Sequence, residues 1–186
     1  MKKITVREIT MVGVMAALVF VASRISFPVI LPIGETRIHL GNIFCLTAGF
    51  VLGDISGGLA AGIGSMFFDL FDPKYFTSAP FTLVFKFIMA FVCAKIAYSG
   101  GKKAMNVPLN VLAGVTGSLI YMILHLGKTF IEGVMLGAET GAALMLVIQK
   151  MGISSLNAVM AIIIAVPFSM SVNAILRKSN IFQPAK

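Results

Sequence analysis

Long apolar stretches separated by short polar segments dominate the chain. They cover residues 9–23, 40–53, 55–71, 79–97, 107–127 and 155–176. A helix that crosses the hydrocarbon core of a bilayer needs about 20 mostly apolar residues. The first, fourth, fifth and sixth stretches are predicted as full spans, whereas the second and third are short of 20 residues and rich in glycine. The pattern predicts a single domain over 1–186, an all-α integral membrane protein with six transmembrane helices, in which helices two and three form a tight hairpin.

Two segments do not follow this pattern. Residues 24–39 contain Pro28, Pro32 and Gly34 together with charged side chains, which predicts a long loop. An ordered loop of this length is often a lid over a site, and a plain connector is the alternative. Residues 134–150 are ambiguous, because the top of helix five, a short surface helix and part of a cap all fit them.

Composition supports the membrane interpretation. Hydrophobic residues make up 58% of the chain and charged residues 12%, against roughly 25% charged residues in soluble domains. A soluble enzyme, a disordered chain and a disulfide scaffold are therefore disfavoured. The net charge of +8 follows from the positive-inside rule, so no nucleic-acid partner is expected.

The basic residues also predict the orientation. With both termini in the cytoplasm, nine basic residues fall in inner segments and five in outer ones. The inner set is Lys2, Lys3, Arg7, Lys95, Lys102, Lys103, Arg177, Lys178 and Lys186, and the outer set is Arg24, Arg37, Lys74, Lys128 and Lys150. This asymmetry predicts a multi-pass protein of a bacterial-type plasma membrane with cytoplasmic termini.

Polar residues within the apolar stretches cluster towards one end. Given the helix directions, Asp69, Lys86, His125 and Asn157 all fall in the outer half of the membrane. Ionisable groups in spans are costly and mark sites by default. Lys86 either contacts a ligand or forms an ion pair with an acidic residue, Asp69 or Asp72 being the nearest choices.

Helix five carries polar residues at helical spacing. His125, Lys128, Thr129 and Glu132 lie on one face. This face either lines a polar cavity or simply holds a Lys128–Glu132 pair at the water interface. No metal-ligand spacing, nucleophile motif or phosphate-binding loop accompanies it, so neither a metal site, a cofactor nor catalytic residues are predicted.

Helix one has small residues on one side. Gly13 and Ala17 are four residues apart, with Ala16 beside them. Such spacing allows another helix to approach closely. Its partner is either another helix of this chain or a second subunit.

Several motifs together resemble the substrate-binding S component of energy-coupling factor (ECF) vitamin transporters, in the branch with riboflavin, hydroxymethylpyrimidine and pyridoxine types. They are Ile38-His39-Leu40-Gly41-Asn42, Ala48-Gly49, Gly53, Gly62-x-Gly64, Asp69-Leu70, Asp72-Pro73-x-Tyr75, Ala79-Pro80-Phe81-Thr82-Leu83-Val84-x-Lys86, Asn157, Ala161 to Pro167, and Arg177-Lys178. Their order and spacing cover nearly the whole chain.

The resemblance implies a six-helix bundle of the S-component type that binds a small vitamin or precursor near its outer face, closed by the first long loop and the loops after helices three and five. It implies a membrane coupling subunit and two cytosolic ATPases as partners, with no ATP hydrolysis by this chain. Helix one would contact the coupling subunit through Gly13, Ala16 and Ala17. The family has an Ala-x-x-x-Ala pattern at this place, whereas this chain has Gly13-x-x-x-Ala17 followed by Val21.

The expected ligand-binding residues are Lys86, His125, Glu132, Asn157, Asp69 and Tyr75, with His39 on the lid. A planar ring would find stacking partners among Phe67, Phe68, Phe71, Tyr75, Phe76 and Tyr121. Two other functions stay open from the residues alone, an intramembrane enzyme and a stand-alone carrier of small solutes.

Overall fold

A computed structural model describes residues 5–32 and 34–179. Within these residues the chain forms six α-helices and one antiparallel two-stranded sheet. They are α1 (Val6–Arg24), β1 (Ser26–Ile30), β2 (Glu35–His39), α2 (Gly41–Leu52), α3 (Asp54–Leu70), α4 (Ala79–Ala97), α5 (Val107–Met135) and α6 (Thr140–Lys178). Short 3-10 turns, Phe76–Ser78 and Ser99–Gly101, flank α4. The predicted six-helix bundle is confirmed.

The helices differ in length, as the apolar stretches predict. Among the described residues, four segments are long and apolar enough to cross a membrane, namely Val6–Arg24, Phe76–Ala97, Val107–Met135 and Thr140–Lys178. Helix α2 has 12 residues, which extend only about 18 Å at the helical rise and are shorter than the hydrocarbon core. Helix α3 has 17 residues.

Helix α2 forms the centre of the bundle because it is apolar on every side. All its residues except Phe44 are buried, as expected for a helix with no polar face. It packs against α1, α3, α4 and α6. Leu46 and Phe50 on α2 and Met89 on α4 are completely inaccessible to solvent.

The turn between α2 and α3 depends on Gly53. Its φ of +87° lies in a region that only glycine enters at no steric cost. The carbonyl of Phe50, close to this break, accepts hydrogen bonds from Tyr98 Oη and Asn173 Nδ2, both at 2.9 Å. These bonds tie the end of the central helix to the C-terminal ends of α4 and α6.

The long loop predicted for 24–39 carries a β-hairpin formed by β1 and β2, and these strands were not predicted. Ser26 pairs with His39 and Ile30 with Glu35. Pro28 lies within β1 and is compatible with it because both strands of a two-stranded sheet are edge strands, where proline is tolerated.

The ambiguous segment 134–150 is divided between two helices, and only residues 134 and 135 match one of the alternatives, the top of helix five. Helix α5 ends at Met135, and a turn follows in which Gly137 has a φ of +84°. Residues 140–150 are the first turns of α6, continuous with the sixth apolar stretch. With 39 residues, α6 is about 58 Å long and exceeds the thickness of the hydrocarbon core.

Candidate functional site

A cavity of about 260 Å³ opens at the end of the bundle that carries the hairpin. Its wall is built by β2, the 3-10 turn before α4, and residues of all six helices. It brings together every residue that the sequence analysis named for ligand binding, namely Lys86, His125, Glu132, Asn157, His39, Asp69 and Tyr75.

Lys86 is the most unusual side chain in this wall. It is only 3% exposed, its Nζ donates a hydrogen bond to Asn42 Oδ1, and the same atom lies 3.6 Å from the centre of the Tyr121 ring. It forms no ion pair with any residue in 5–32 or 34–179. Because an ammonium group has three N–H donors, a donor that is directed neither at Asn42 nor at the Tyr121 ring remains for a bound molecule.

The two carboxylates that the sequence offered as partners of Lys86 are engaged elsewhere. Asp69 accepts a hydrogen bond of 2.5 Å from Thr82 Oγ1. Asp72 forms an ion pair with Arg37 at 3.1 Å. The structural alternative for Lys86, an ion pair with Asp69 or Asp72, is therefore not formed.

Arg37 is a wall residue that the sequence analysis did not single out. Its guanidinium lies between two rings, 3.7 Å from the centre of Tyr75 and 4.7 Å from that of Phe68. Such cation–π contacts gain strength where water is excluded. Arg37 therefore joins the hairpin to α3 and to the loop that follows it, with the Asp72 pair as a second link.

Asn157 uses both ends of its amide to hold the hairpin. Its Oδ1 accepts a hydrogen bond from the His39 backbone N–H at 3.2 Å, and its Nδ2 donates to the Arg37 carbonyl at 2.9 Å. The side chain thus pairs with β2 as a neighbouring strand would. Its role in this structure is to position the hairpin over the cavity.

His39 presents a neutral ring to the cavity. Its Nδ1 accepts a hydrogen bond from the Gly41 N–H at 3.2 Å, which assigns the ring hydrogen to Nε2. Burial, reinforced by the nearby positive charges of Lys86 and Arg37, lowers the pKa of His39 to about 3. His39 therefore supplies an uncharged N–H donor at physiological pH.

His125 is held by an aromatic neighbour one turn away. Its ring stacks on Tyr121 with centres 5.6 Å apart. Neither histidine belongs to a metal-binding group, since the described part of the chain contains no cluster of three His, Cys, Asp or Glu residues able to hold an ion.

Glu132 forms an ion pair with Lys128. This pair is one of the two alternatives that the helical spacing of polar residues left open. Lys128 Nζ bonds to Glu132 Oε1 and also donates to Ser78 Oγ at 2.9 Å. This arrangement ties α5 to the turn that precedes α4. Glu132 lines the cavity, but its charge is balanced within the chain.

The aromatic candidates divide into two groups. Phe68, Tyr75 and Tyr121 line the cavity, together with Phe85, which the sequence analysis did not name. The other three, Phe67, Phe71 and Phe76, are 47%, 65% and 58% exposed and lie outside the wall.

The small residues of α1 face in two directions. Gly13 and Ala17 are exposed, and a Cβ added at Gly13 would meet no atom of residues 5–32 or 34–179 within 4 Å. Ala16 is buried against α3, where a Cβ added at Gly64 would lie 2.3 Å from the Ala16 carbonyl oxygen. Ala16 therefore packs within the chain and is removed from the predicted docking surface.

A comparison with protein-family models finds one that covers most of the chain. The model described as the S component of ECF-type riboflavin transporters matches residues 3–174. No curated protein matches the chain in a separate sequence comparison. The family suggested by the sequence motifs is confirmed. The chain belongs to the S components of ECF-type riboflavin transporters and is a membrane-embedded substrate-binding subunit of a vitamin transporter.

Proposed function

We propose that this chain captures a small heterocyclic vitamin or vitamin precursor in the cavity at the hairpin end and delivers it with a separate coupling and ATPase module. The observation that carries the proposal is the buried Lys86 ammonium, which lines the cavity and forms no ion pair with any described residue. Convergent polar groups in a partly aromatic pocket are typical of small-molecule sites.

The direct test is to identify what the protein carries. Protein purified in detergent is denatured, and the released small molecules are identified by mass spectrometry. The compound is then titrated back into ligand-free protein by calorimetry, with one molecule bound per chain as the expected result. Chemical turnover of the compound by the chain alone would contradict the proposal in favour of an enzyme. Transport by liposomes that contain only this chain would favour a stand-alone carrier.

We place the contact with the membrane coupling subunit on the exposed face of α1 that carries Gly13 and Ala17. Small residues allow helices to approach closely in lipid, and no atom of the described residues lies within 4 Å of a Cβ placed at Gly13. Ser23 on the same helix lines the cavity. Gly13 lies ten residues before Ser23, which puts it about 15 Å further from the cavity along the helix axis. Docking and ligand binding therefore occupy different ends of α1.

The proposed orientation puts the cavity outside and the termini in the cytoplasm. Lys102 lies in the loop after α4, at the end opposite the cavity, while Lys74 lies in the cavity wall. Three of the counted basic residues, Lys2, Lys3 and Lys186, lie outside the described residues.

Labelling of intact cells with an impermeant maleimide tests this orientation. Lys74→Cys should react and Lys102→Cys should not, since both positions are exposed but face opposite sides. The native Cys45 and Cys93 are 0% exposed and should give no background. Labelling at position 102 in intact cells would reverse the orientation.

Asn157→Ala should speed ligand release by loosening the hairpin. The substitution removes two hydrogen bonds to β2, each with a net value of about 0.5–1.5 kcal/mol. We therefore expect an increase of about five- to 150-fold in the dissociation rate, measured by washout of the bound compound. Amide hydrogen exchange at 35–39 should rise in parallel. Ser171→Ala, an exposed α6 position bonded to its own helix, is the control, and unchanged release from the Asn157 variant would refute the positioning role.

A further inference from the structure

Four cations meet at the end of the bundle opposite the cavity. Lys102 and Lys103 lie in the turn between α4 and α5, and Arg177 and Lys178 are the last residues of α6. The Arg177 side chain joins the two pairs, because its Nη2 donates a hydrogen bond of 2.7 Å to the Lys103 carbonyl. These four residues form the basic rim of the bundle.

The positive charge of the basic rim is not neutralised by ion pairs within the described chain. None of its four side chains forms an ion pair with a described residue. The acidic residues at this end of the bundle are Glu8, in the first turn of α1, and Asp54, in the first turn of α3. Asp54 is already paired with Lys95 at 2.6 Å, and α1 packs against α2 and α3. Three members of the rim are exposed, namely Lys102, Lys103 and Lys178.

The backbone of the turn that carries Lys103 is strained. Lys103 and Ala104 have φ values of +53° and +54°, in the left-handed region that residues with a Cβ rarely adopt. The Ala104 N–H donates to the Ala97 carbonyl at 3.0 Å, and the Ala104 carbonyl accepts a hydrogen bond from Asn110 Nδ2 at 2.9 Å. Together with the bond from Arg177, these contacts fix the path of the turn. Such strain is maintained only where the surrounding structure enforces it, and it is concentrated at functional sites.

Exposed apolar side chains border the basic rim. Met105 and Val107 follow Lys103 closely along the chain and are 36% and 50% exposed, and Ile175, two residues before Arg177, is 67% exposed. A cluster of cations beside an apolar surface matches a phospholipid, in which a phosphate is joined to acyl chains. A free phosphate ion would use the cations but leave the apolar border uncovered.

From these observations we infer that the basic rim binds the phosphate headgroup of an anionic phospholipid, whose acyl chains lie against the apolar border. The planar fork of N–H donors on Arg177 suits phosphate oxygens, and the lysines add positive charge around it. This inference goes beyond the proposed function, because the surface lies at the opposite end of the bundle from the cavity. It is also separate from the docking face on α1, since α4, α5 and α6 build it.

Native mass spectrometry of the full chain in detergent tests the inference, by titration with phosphatidylglycerol and with phosphatidylcholine of the same acyl chains. Each basic residue near an anionic headgroup contributes about fivefold in affinity, so Lys102→Gln/Lys103→Gln should bind phosphatidylglycerol about thirtyfold more weakly. The control Lys74→Gln/Lys95→Gln removes the same net charge from two lysines that form ion pairs within the chain, and it should bind like the parent. Phosphatidylcholine should bind weakly to all three proteins.

Lys103→Gly distinguishes lipid recognition from a purely structural role, because the two measured effects should have opposite directions. Glycine adopts a positive φ without steric cost, so the melting temperature should rise, while the affinity for phosphatidylglycerol should fall about fivefold. A melting temperature that falls together with the affinity would mean that Lys103 acts only through the fold, and would overturn the inference.

Three further results would also overturn it. They are equal phosphatidylglycerol binding by the parent and by Lys102→Gln/Lys103→Gln, an equal loss in the control variant, and displacement of the lipid by an excess of inorganic phosphate, which would indicate a site for a free anion. Binding of the copurifying compound in the cavity should be unchanged in Lys102→Gln/Lys103→Gln. Failure of the lipid inference therefore leaves the proposed function intact.

Discussion

Lys86→Met is expected to weaken binding of the copurifying ligand by about ten- to hundredfold while the protein stays folded. Methionine keeps most of the length and apolar character of the lysine stem but removes the ammonium group, and a hydrogen bond to a charged group contributes about 1.5–3 kcal/mol. Calorimetric titration measures the affinity. Thermal unfolding of the ligand-free protein should shift little, because losing the hydrogen bond to the buried Asn42 Oδ1 is offset by removing a buried charge that has no ionic partner in the described structure.

Lys95→Met is the matched control, since it makes the same substitution on the same helix. Lys95 pairs with Asp54 at 2.6 Å, and its side chain is 59% exposed. Its loss should leave ligand affinity unchanged. An unchanged affinity in the Lys86 variant would contradict a ligand-binding role for Lys86. So would a loss of affinity that comes with a large fall in melting temperature, because misfolding would then explain it.

The position of the cavity could be predicted from the sequence because polar and ionisable residues are conspicuous in apolar helices. Lys86, His125 and Asn157 are separated along the chain, yet alternating helix directions bring them to one end of the bundle. What the sequence could not give is the pairing among side chains. Asn157 has the same polarity whether it contacts a ligand or holds a strand, and only its two bonds to β2 distinguish these roles.

Arg37 and Asn42 escaped prediction for different reasons. Arg37 lies in a polar segment, where a charge is unremarkable until the hairpin packs it between two aromatic rings. Asn42 is neutral and near the beginning of an apolar helix. It contributes to the site by accepting a hydrogen bond from Lys86, which is 44 residues away in sequence.

The limits of the fold prediction have equally local causes. In 24–39, Pro28 and Pro32 indicate a loop, but an edge strand accepts proline and the strands form. In 134–150, Gly137 ends one helix and the next begins at Thr140, so that Lys150 is carried by α6 into the cavity wall. A pattern of apolar residues locates membrane spans well, but it does not show how far a helix continues beyond them.

The variants Gly13→Leu and Gly64→Leu should distinguish a residue that contacts the coupling subunit from a residue that packs within the fold. Transport is the measurement in which we expect the largest effect. In the described part of the chain, a Cβ at Gly13 meets no atom within 4 Å, whereas one at Gly64 would lie 2.3 Å from the Ala16 carbonyl oxygen and 2.8 Å from Val19 Cβ. The Gly13 variant should therefore fold and bind ligand with nearly unchanged affinity. It should nevertheless abolish uptake in cells that supply the coupling module, because a bulky side chain on the exposed face of α1 prevents close helix approach.

The Gly64 variant should lose uptake for another reason, because α1 and α3 can no longer pack at backbone distance. Its ligand binding and melting temperature should fall together with transport. Ala17→Leu, one turn from Gly13 on the same exposed face, should behave like the Gly13 variant. If the Gly13 and Ala17 variants instead lose ligand binding and thermal stability as Gly64→Leu does, then these residues pack within the chain in the membrane. The coupling subunit would then have to contact a different surface.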